Sequence, residues 1–424
     1  MSAPAPAGSP TGCPAHAGRL DPADPALHTD DGRAAHAVWR DLRRHAPVER
    51  RTTPSGLGYW SLTRYRDCDR VLRDHTAFTS EHGNLLRMLG TDDPAGGKQM
   101  AVTDPPRHAA MREPLQRALS MKSVDAHRER IRATVRRVVE PLADGGVFDF
   151  GQAMTLLPMA VTGVLMGIPE ADWAQLTGFT SACVAPDDPR LMLPAGPTAT
   201  LETAHRELFA YFQDLAHERE KALGDDLLSF LLTLDLGGRT MSPGEVMSNC
   251  YSLLLGANVT TGHVASTVMA TQTDTGVFED WAAHPELTVR ATEEALRWAS
   301  PAGHFLRYAT RDVLLRGTRI HRGDALVTWL NSANFDEEVF KDPFVFDIRR
   351  RPNRHITFGA GVHFCVGHTV AKVTLRLLFA ELLSRFESFE IAGPPRRLYS
   401  GFVAGYTHLP ITARLRARRG RVGY

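Results

Sequence analysis

Residues 358–367 read F-G-A-G-V-H-F-C-V-G and run straight into an amphipathic stretch, 368–386, with a helical apolar period. No other ten residues constrain the chain as much. Glycines 359, 361 and 367 flank a single cysteine, Cys365. Glycine lets a backbone turn tightly and approach a flat ligand closely. A cysteine at a helix start meets free N–H groups and the positive end of the helix dipole, which favour thiolate and lower its pKa. The loop is no dinucleotide cradle, because the third glycine of G-x-G-x-x-G would fall on Phe364. No Gly-Lys-Ser/Thr follows, so it is no phosphate loop either.

The five cysteines (Cys13, Cys68, Cys183, Cys250 and Cys365) are odd in number, widely spaced and without a C-x-x-C pair. Neither a disulfide framework nor a zinc site is expected, and the usage fits a reducing, cytoplasmic location. The formal net charge is +1 over 424 residues. That lacks the basic excess of a nucleic-acid binder and the polybasic run of a membrane anchor. No stretch nears the roughly 18 apolar residues of a membrane span. Residues 1–31 are rich in Ala, Pro and Gly without a signal-peptide pattern, and read as a flexible lead-in to a single domain over 32–424.

Periodicity predicts helices over 34–45, 65–74, 106–118, 124–143, 157–166, 173–182, 200–223, 226–232, 243–271 and 285–298. Strands are expected over 59–63, 305–310, 313–315, 318–320 and 325–329, with strand pieces over 389–416. The fold class is therefore mostly α with a minor β region. Two long connections, 81–98 and the proline-rich 182–200, have no period, and loops of that length are often functional.

Two helical stretches carry unusual chemistry. Glu294 and Arg297 are three apart and can meet on one face. Within the apolar stretch 252–270, L-L-G-A-N-V-T-T (254–261) places Gly256, Ala257 and Thr260 on one face. Glycine inside a helix costs about 1 kcal/mol against alanine, which points to close approach by something flat or by another helix. The Thr260 hydroxyl can bond back to the Gly256 carbonyl, which bends helices.

The 358–367 loop resembles the haem-binding signature of the cytochrome P450 family, F-G-x-G-x-H-x-C-x-G, at Phe358, Gly359, Gly361, His363, Cys365 and Gly367. The resemblance spans roughly residue 34 to the C-terminus and is closest to soluble bacterial members. It implies a cytochrome P450-like fold and haem b bound through Cys365, whose thiolate would favour O–O cleavage. Glu294 and Arg297 then resemble the family's E-x-x-R, a structural ion pair behind the haem. Val345 stands where a third, basic partner is common, and Arg349 is expected to substitute.

The 254–261 segment resembles the family's A-G-x-D/E-T-T. Gly256 and Ala257 are the small pair, and Thr260 is the alcohol that assists proton delivery to oxygen. Val259 occupies the position of the acid, and valine cannot hold or transfer a proton. Three routes stay open: protons through Asn258, Thr260 and waters; a polar group on the substrate; or chemistry that needs less proton delivery.

His108, Arg112, Arg307 and His363 are the expected partners of the haem carboxylates, which need them if buried. The resemblance assigns the substrate lining to Leu85, Leu86 and Met88, to Leu253 and Gly256, to Gly303 and His304, and to Phe402 and Val403, with the loop 184–198. A small organic, natural-product-like substrate is implied. No flavin or iron–sulfur segment is visible, so electrons would come from a separate ferredoxin or flavodoxin with its reductase. Arg349, Arg350, Arg351, Arg354, Lys372 and Arg376 would form its basic docking face. The implied activity is O2-dependent hydroxylation or epoxidation. Two alternatives stand beside it: oxidative coupling, rearrangement or peroxide-driven oxidation on the same haem, and a non-catalytic haem protein, against which Thr260 argues.

Overall fold

The computed structural model describes residues 21–29, 33–91 and 93–417. The helix launched by the cysteine loop, His368–Arg385, is a core element. Its Val373, Leu375, Leu378, Phe379 and Leu382 pack with Val135, Phe150, Leu157, Val268, Trp281 and Leu296 in one buried cluster. Burying such side chains contributes about 1.5–3 kcal/mol each, so the loop starts from a rigid base.

The stretch expected as one helix over 243–271 is two. Pro243–Asn258 starts at a capping box, in which Ser242 and Glu245 satisfy each other's backbone N–H, with Pro243 in the first turn. It ends at Val259, and Thr261–Gln272 follows after Thr260 leaves helical geometry at φ −127°, ψ −51°. The Thr260 hydroxyl donates to the Gly256 carbonyl at 3.0 Å, the back-bond that bends helices. The apolar pattern runs on through the break, which is why periodicity missed it. Just beyond, a Cβ on Gly262 would lie 1.8 Å from the Met154 carbonyl oxygen, so only glycine lets the helix Phe150–Met166 cross there.

Other boundaries moved for local reasons. The helix expected at 157–166 begins at Phe150, because the Asp149 carboxylate caps the Gln152 N–H. The stretch 124–143 divides into Met121–Ala126, Arg128–Val139 and a 3-10 turn, Glu140–Asp144. Strand Val48–Thr52 and helix Val277–Ala283 are short elements that periodicity did not separate from loops.

The main sheet has five strands, in the order Val48–Thr52, Gly58–Leu62, Ala325–Trp329, His304–Ala309 and Phe78–Thr79. His304 pairs with Trp329 and Arg307 with Leu326 in an antiparallel register. Part of the expected lead-in is packed onto this domain: Pro25–His28 forms a 3-10 turn with Leu27 and His28 buried. Residues 1–20 and 30–32 lie outside the described residues. Among the described residues no helix is long and apolar enough to cross a membrane.

Candidate active site

The loop backbone is fixed by its own hydrogen bonds. Gly359 N–H donates to Ile356 O at 2.8 Å, and Cys365 N–H donates to Phe358 O at 2.8 Å. Gly359 and Gly361 both take positive φ, 71° and 70°, and a Cβ on Gly361 would lie 2.6 Å from the Leu72 carbonyl oxygen. The ring of Phe358 meets those of Phe364 and His368, with Lys372 above it. Gly367 precedes the first turn of the following helix. Of the four described cysteines, Cys68, Cys183 and Cys250 are buried and Cys365 is half-buried.

The expected depression of the Cys365 thiol is reversed. Burial pushes its pKa up, against the opposing pull of the Gly367 and His368 N–H groups and the Arg112 guanidinium. The helix start favours thiolate as anticipated, but desolvation of the charge outweighs it. A cationic metal is the partner that reverses this balance, since a coordinating thiol is deprotonated. Among the described residues no group of three or more His, Cys, Asp or Glu could hold a metal ion.

The four expected cations lie around this loop. His108 is 2% exposed, its ring 4.5 Å from that of His363, and its Nε2 is buried without a partner. Burial, with the neighbouring charges of His363 and Arg112, lowers its pKa to about 3. Arg307 is 3% exposed, and its one hydrogen bond runs to the adjacent Leu306 carbonyl at 2.8 Å. Burial lowers its pKa to about 10, so it stays charged at neutral pH, with no carboxylate in ion-pair contact among the described residues. Arg112 donates to the Phe364 carbonyl. His363 Nε2 is taken by Ser80 Oγ at 3.0 Å and Asp104 Oδ1 at 3.3 Å. Asp104 was missed at the sequence level. Burial acts to raise its pKa, but hydrogen bonds from His363, Thr79 and Ser80 hold it at about 2. A buried guanidinium with no carboxylate in ion-pair contact, although Asp104 acts on it from further off, and an orphaned imidazole nitrogen fit the carboxylates of a haem.

On the central helix, a Cβ at Gly256 would meet nothing within 4 Å, so this face borders open space. Ala257 and Thr260 are partly exposed beside it. Asn258 points elsewhere: its Nδ2 lies 3.7 Å from Met159 Sδ on the neighbouring helix, and its Oδ1 is buried without a partner. Val259 is 6% exposed and packs with Val184, Ala185, Leu398 and Val403.

Glu294 and Arg297 are both wholly buried and bonded through two parallel contacts of 2.8 Å. The third partner is Arg350, not Arg349: its Nε is 3.0 Å from both Glu294 oxygens, and its Nη1 and Nη2 donate to the Lys341 and Val345 carbonyls. Arg349 points outward and pairs with Asp280. Of the expected basic face, Lys372 and Arg376 are engaged by Glu293. Arg351 and Arg354 are exposed, with no ion pair among the described residues.

The expected lining residues divide by burial. Leu85, Met88, Leu253 and Phe402 keep accessible surface. Leu86 does not: at 8% exposure it packs with Trp39, Tyr59, Leu306 and Trp329 in the core. Gly303, whose N–H donates to Phe402 O at 2.7 Å, is buried, as are His304 and Val403. Above them, Asp188 accepts from Arg190 at 2.6 Å and from Tyr399 N–H at 3.0 Å. Arg87 and Asp187 join the two long loops at 2.8 Å.

A mostly helical chain with a half-buried cysteine on a glycine loop, beside a buried Glu–Arg pair, has the layout of a haem-thiolate protein. The family model "Cytochrome P450" matches residues 279–403. The chain is 33% identical over 412 residues to "Cytochrome P450 NovI" of Streptomyces niveus, covering 95% of this chain and 98% of that one. It is 30% identical to "Linalool 8-monooxygenase" of Pseudomonas putida, covering 93% and 98%. The crystal structure of P450 OxyD, involved in the biosynthesis of vancomycin-type antibiotics, superposes with a TM-score of 0.82 at 32% identity, covering 94% of this chain and all of that one. The chain belongs to the cytochrome P450 family and is a monooxygenase, an oxidoreductase that carries haem iron.

Proposed function

We propose that this enzyme holds haem b through Cys365 and uses O2 to hydroxylate or epoxidise a small organic substrate of the natural-product kind. The observation that carries the reading is the Cys365 loop: a cysteine with two backbone N–H groups aimed at its sulfur, on a glycine turn that leads into a helix packed in the core. The names of the linalool and antibiotic-pathway relatives support the substrate class.

Bound haem supplies the activation of O2, one atom entering the substrate and the other leaving as water, at the expense of two electrons and two protons. Arg307 and His108 are the residues with unused donors for its carboxylates, with Arg112 beside them and His363 held in place by Asp104. The Thr260 hydroxyl donates its own proton to Gly256 O and keeps its lone pairs free to accept. We assign proton delivery to Thr260 and water, since Asn258 is turned onto Met159 and Val259 is packed in an apolar cluster. The absence of a carboxylate at position 259 is also what favours a second reading, peroxide-supported turnover. Comparing peroxide with reductase as the source of oxidising equivalents separates the two. A cytoplasmic ferredoxin or flavodoxin, with its reductase, delivers the electrons, and Arg351 and Arg354 are the exposed charges that would steer it.

The test is the absorption spectrum of the reduced protein under carbon monoxide. A strongly red-shifted Soret band in the wild type, lost in Cys365→Ser, is expected. A band of the histidine-bound kind in folded wild-type protein would remove the thiolate from iron.

A further inference from the structure

The first part of loop 81–98 runs along the free edge of strand His304–Ala309. Phe78 and Thr79 pair with Ala309 and Tyr308, and Leu306 N–H donates to Asn84 O at 2.8 Å. The next bond on this edge is made by a side chain: Leu86 N–H donates to His304 Nε2 at 3.1 Å. His304 is 4% exposed, its ring 4.9 Å from that of Trp329 and 5.3 Å from that of Phe402, both edge-on. Its backbone is locked by pairing with Trp329 across the sheet. An imidazole accepting at Nε2 carries its proton on Nδ1 and is neutral. The ring is therefore held by the sheet and by two aromatic neighbours, and what it holds in turn is the loop.

We propose that His304 is a positioning residue. It acts through the Leu86 amide to fix segment 84–88 against the strand that carries Arg307, and so sets where Leu85 and Met88 stand in the substrate pocket. This rests on the reading of that region as the pocket above the haem. With Nε2 accepting from Leu86, His304 shapes the wall through the loop it holds.

The experiment compares amide hydrogen exchange in peptide 84–89 of the holoprotein for wild type, His304→Phe and His304→Gln, together with binding of 4-phenylimidazole followed by its Soret shift. Phenylalanine keeps the aromatic packing and removes the acceptor; glutamine keeps an acceptor. In His304→Phe the peptide should exchange about tenfold faster, the scale of one lost hydrogen bond, and 4-phenylimidazole should bind several-fold more weakly. His304→Gln should recover most of both. Leu86→Pro removes the donor at the first position of the turn Leu86–Met88, where proline fits, and its effect should not add to that of His304→Phe. If His304→Phe does not fold, His304→Leu, which also removes the acceptor and leaves the Leu86 side chain in the core, must loosen the same peptide. Wild-type exchange in either variant, or fully additive effects, would overturn the proposal. A protein without the red-shifted carbon monoxide band but with His304-dependent exchange would sink the haem reading and leave this tie standing; a normal band with His304-independent exchange would do the reverse.

Discussion

Two buried polar regions of this chain are built to different standards. Around Glu294 both carboxylate oxygens are shared among Arg297, Arg350, Asn353 and the Asp347 N–H, and Arg297 also donates to the Asn334 and Pro343 carbonyls. Around the helix break and its roof, Asn258 Oδ1 lacks a partner, and an exposed ion pair joins the two long loops. Asn353 Oδ1 is itself unpartnered, so the contrast lies in the charges: a buried ion-pair network in which each charge is engaged is stiff, whereas neutral groups left half-satisfied keep neighbouring states close in energy. In the proposed reading, the side that backs the Cys365 loop has the first design and the side that would admit a substrate has the second.

The largest expected effect tests the stiff side. Glu294→Ala leaves Arg297 and Arg350 buried without a counter-charge, and breaking a buried pair in this way costs about 3–5 kcal/mol. Little folded holoprotein should accumulate, as judged by thermal unfolding and the carbon monoxide spectrum. A variant as stable as wild type would abolish the distinction between the two regions. Next in size, Arg350→Ala should cost about 1.5–3 kcal/mol, the value of hydrogen bonds to a charged group, while Arg349→Ala, which loses only a solvent-screened surface pair, should cost far less. Chemical denaturation of the two variants side by side measures the difference.

The arginine pair also shows what could be read beforehand. Glu294 and Arg297 were legible because a helix fixes which side chains meet at a spacing of three. Cys365 was legible because its loop is contiguous in sequence. Arg350 was not, because it lies in an irregular turn where the direction of each side chain depends on backbone bends that no period encodes. The same limit hid the burial of Leu86, one residue from the accessible Leu85, and the role of Asp104, which depends on His363 being 3.3 Å away. The rise in the Cys365 pKa was hidden too, since local sequence shows the helix start but not the desolvation that opposes it.

At the helix break, Thr260→Ala should leave stability nearly unchanged and raise the share of reductant released as hydrogen peroxide. Val259→Glu should not restore a relay. It would place a carboxylate among Val184, Leu398 and Val403, where desolvation raises its pKa and lowers stability. Peroxide release below the wild-type level in Val259→Glu would show that the site does accept an acid and is looser than its packing indicates.

A smaller effect on the stiff side depends on pH. Burial acts to raise the Glu293 pKa, but His355 and Lys372 pull it from the ordinary 4.5 to about 2. A depressed carboxylate contributes stability that is fully present above about pH 4.5 and lost as pH falls towards about 2. The stability margin of wild type over Glu293→Gln should shrink across that window. A margin that grew on acidification would mean that Glu293 is not ionised against these partners.

The smallest expected change in stability is at the roof. Arg87 and Asp187 are each 40% exposed, and such a pair contributes at most about 1 kcal/mol. Arg87→Ala should therefore leave the unfolding temperature almost unmoved. Its effect should be kinetic, because the pair joins loop 81–98 to the loop that Asp188 ties down through Arg190 and Tyr399. Losing the pair should speed both association and dissociation of 4-phenylimidazole. Raising the salt should do the same to wild type, since exposed pairs are screened, and should do little to the variant. Exchanging the charges, with Arg87→Asp and Asp187→Arg together, should bring back the wild-type rates and their salt dependence. If Arg87→Ala instead cost several kcal/mol, the roof would be as tightly built as the Glu294 side. Substrate would then have to reach the haem by some path other than the parting of these two loops.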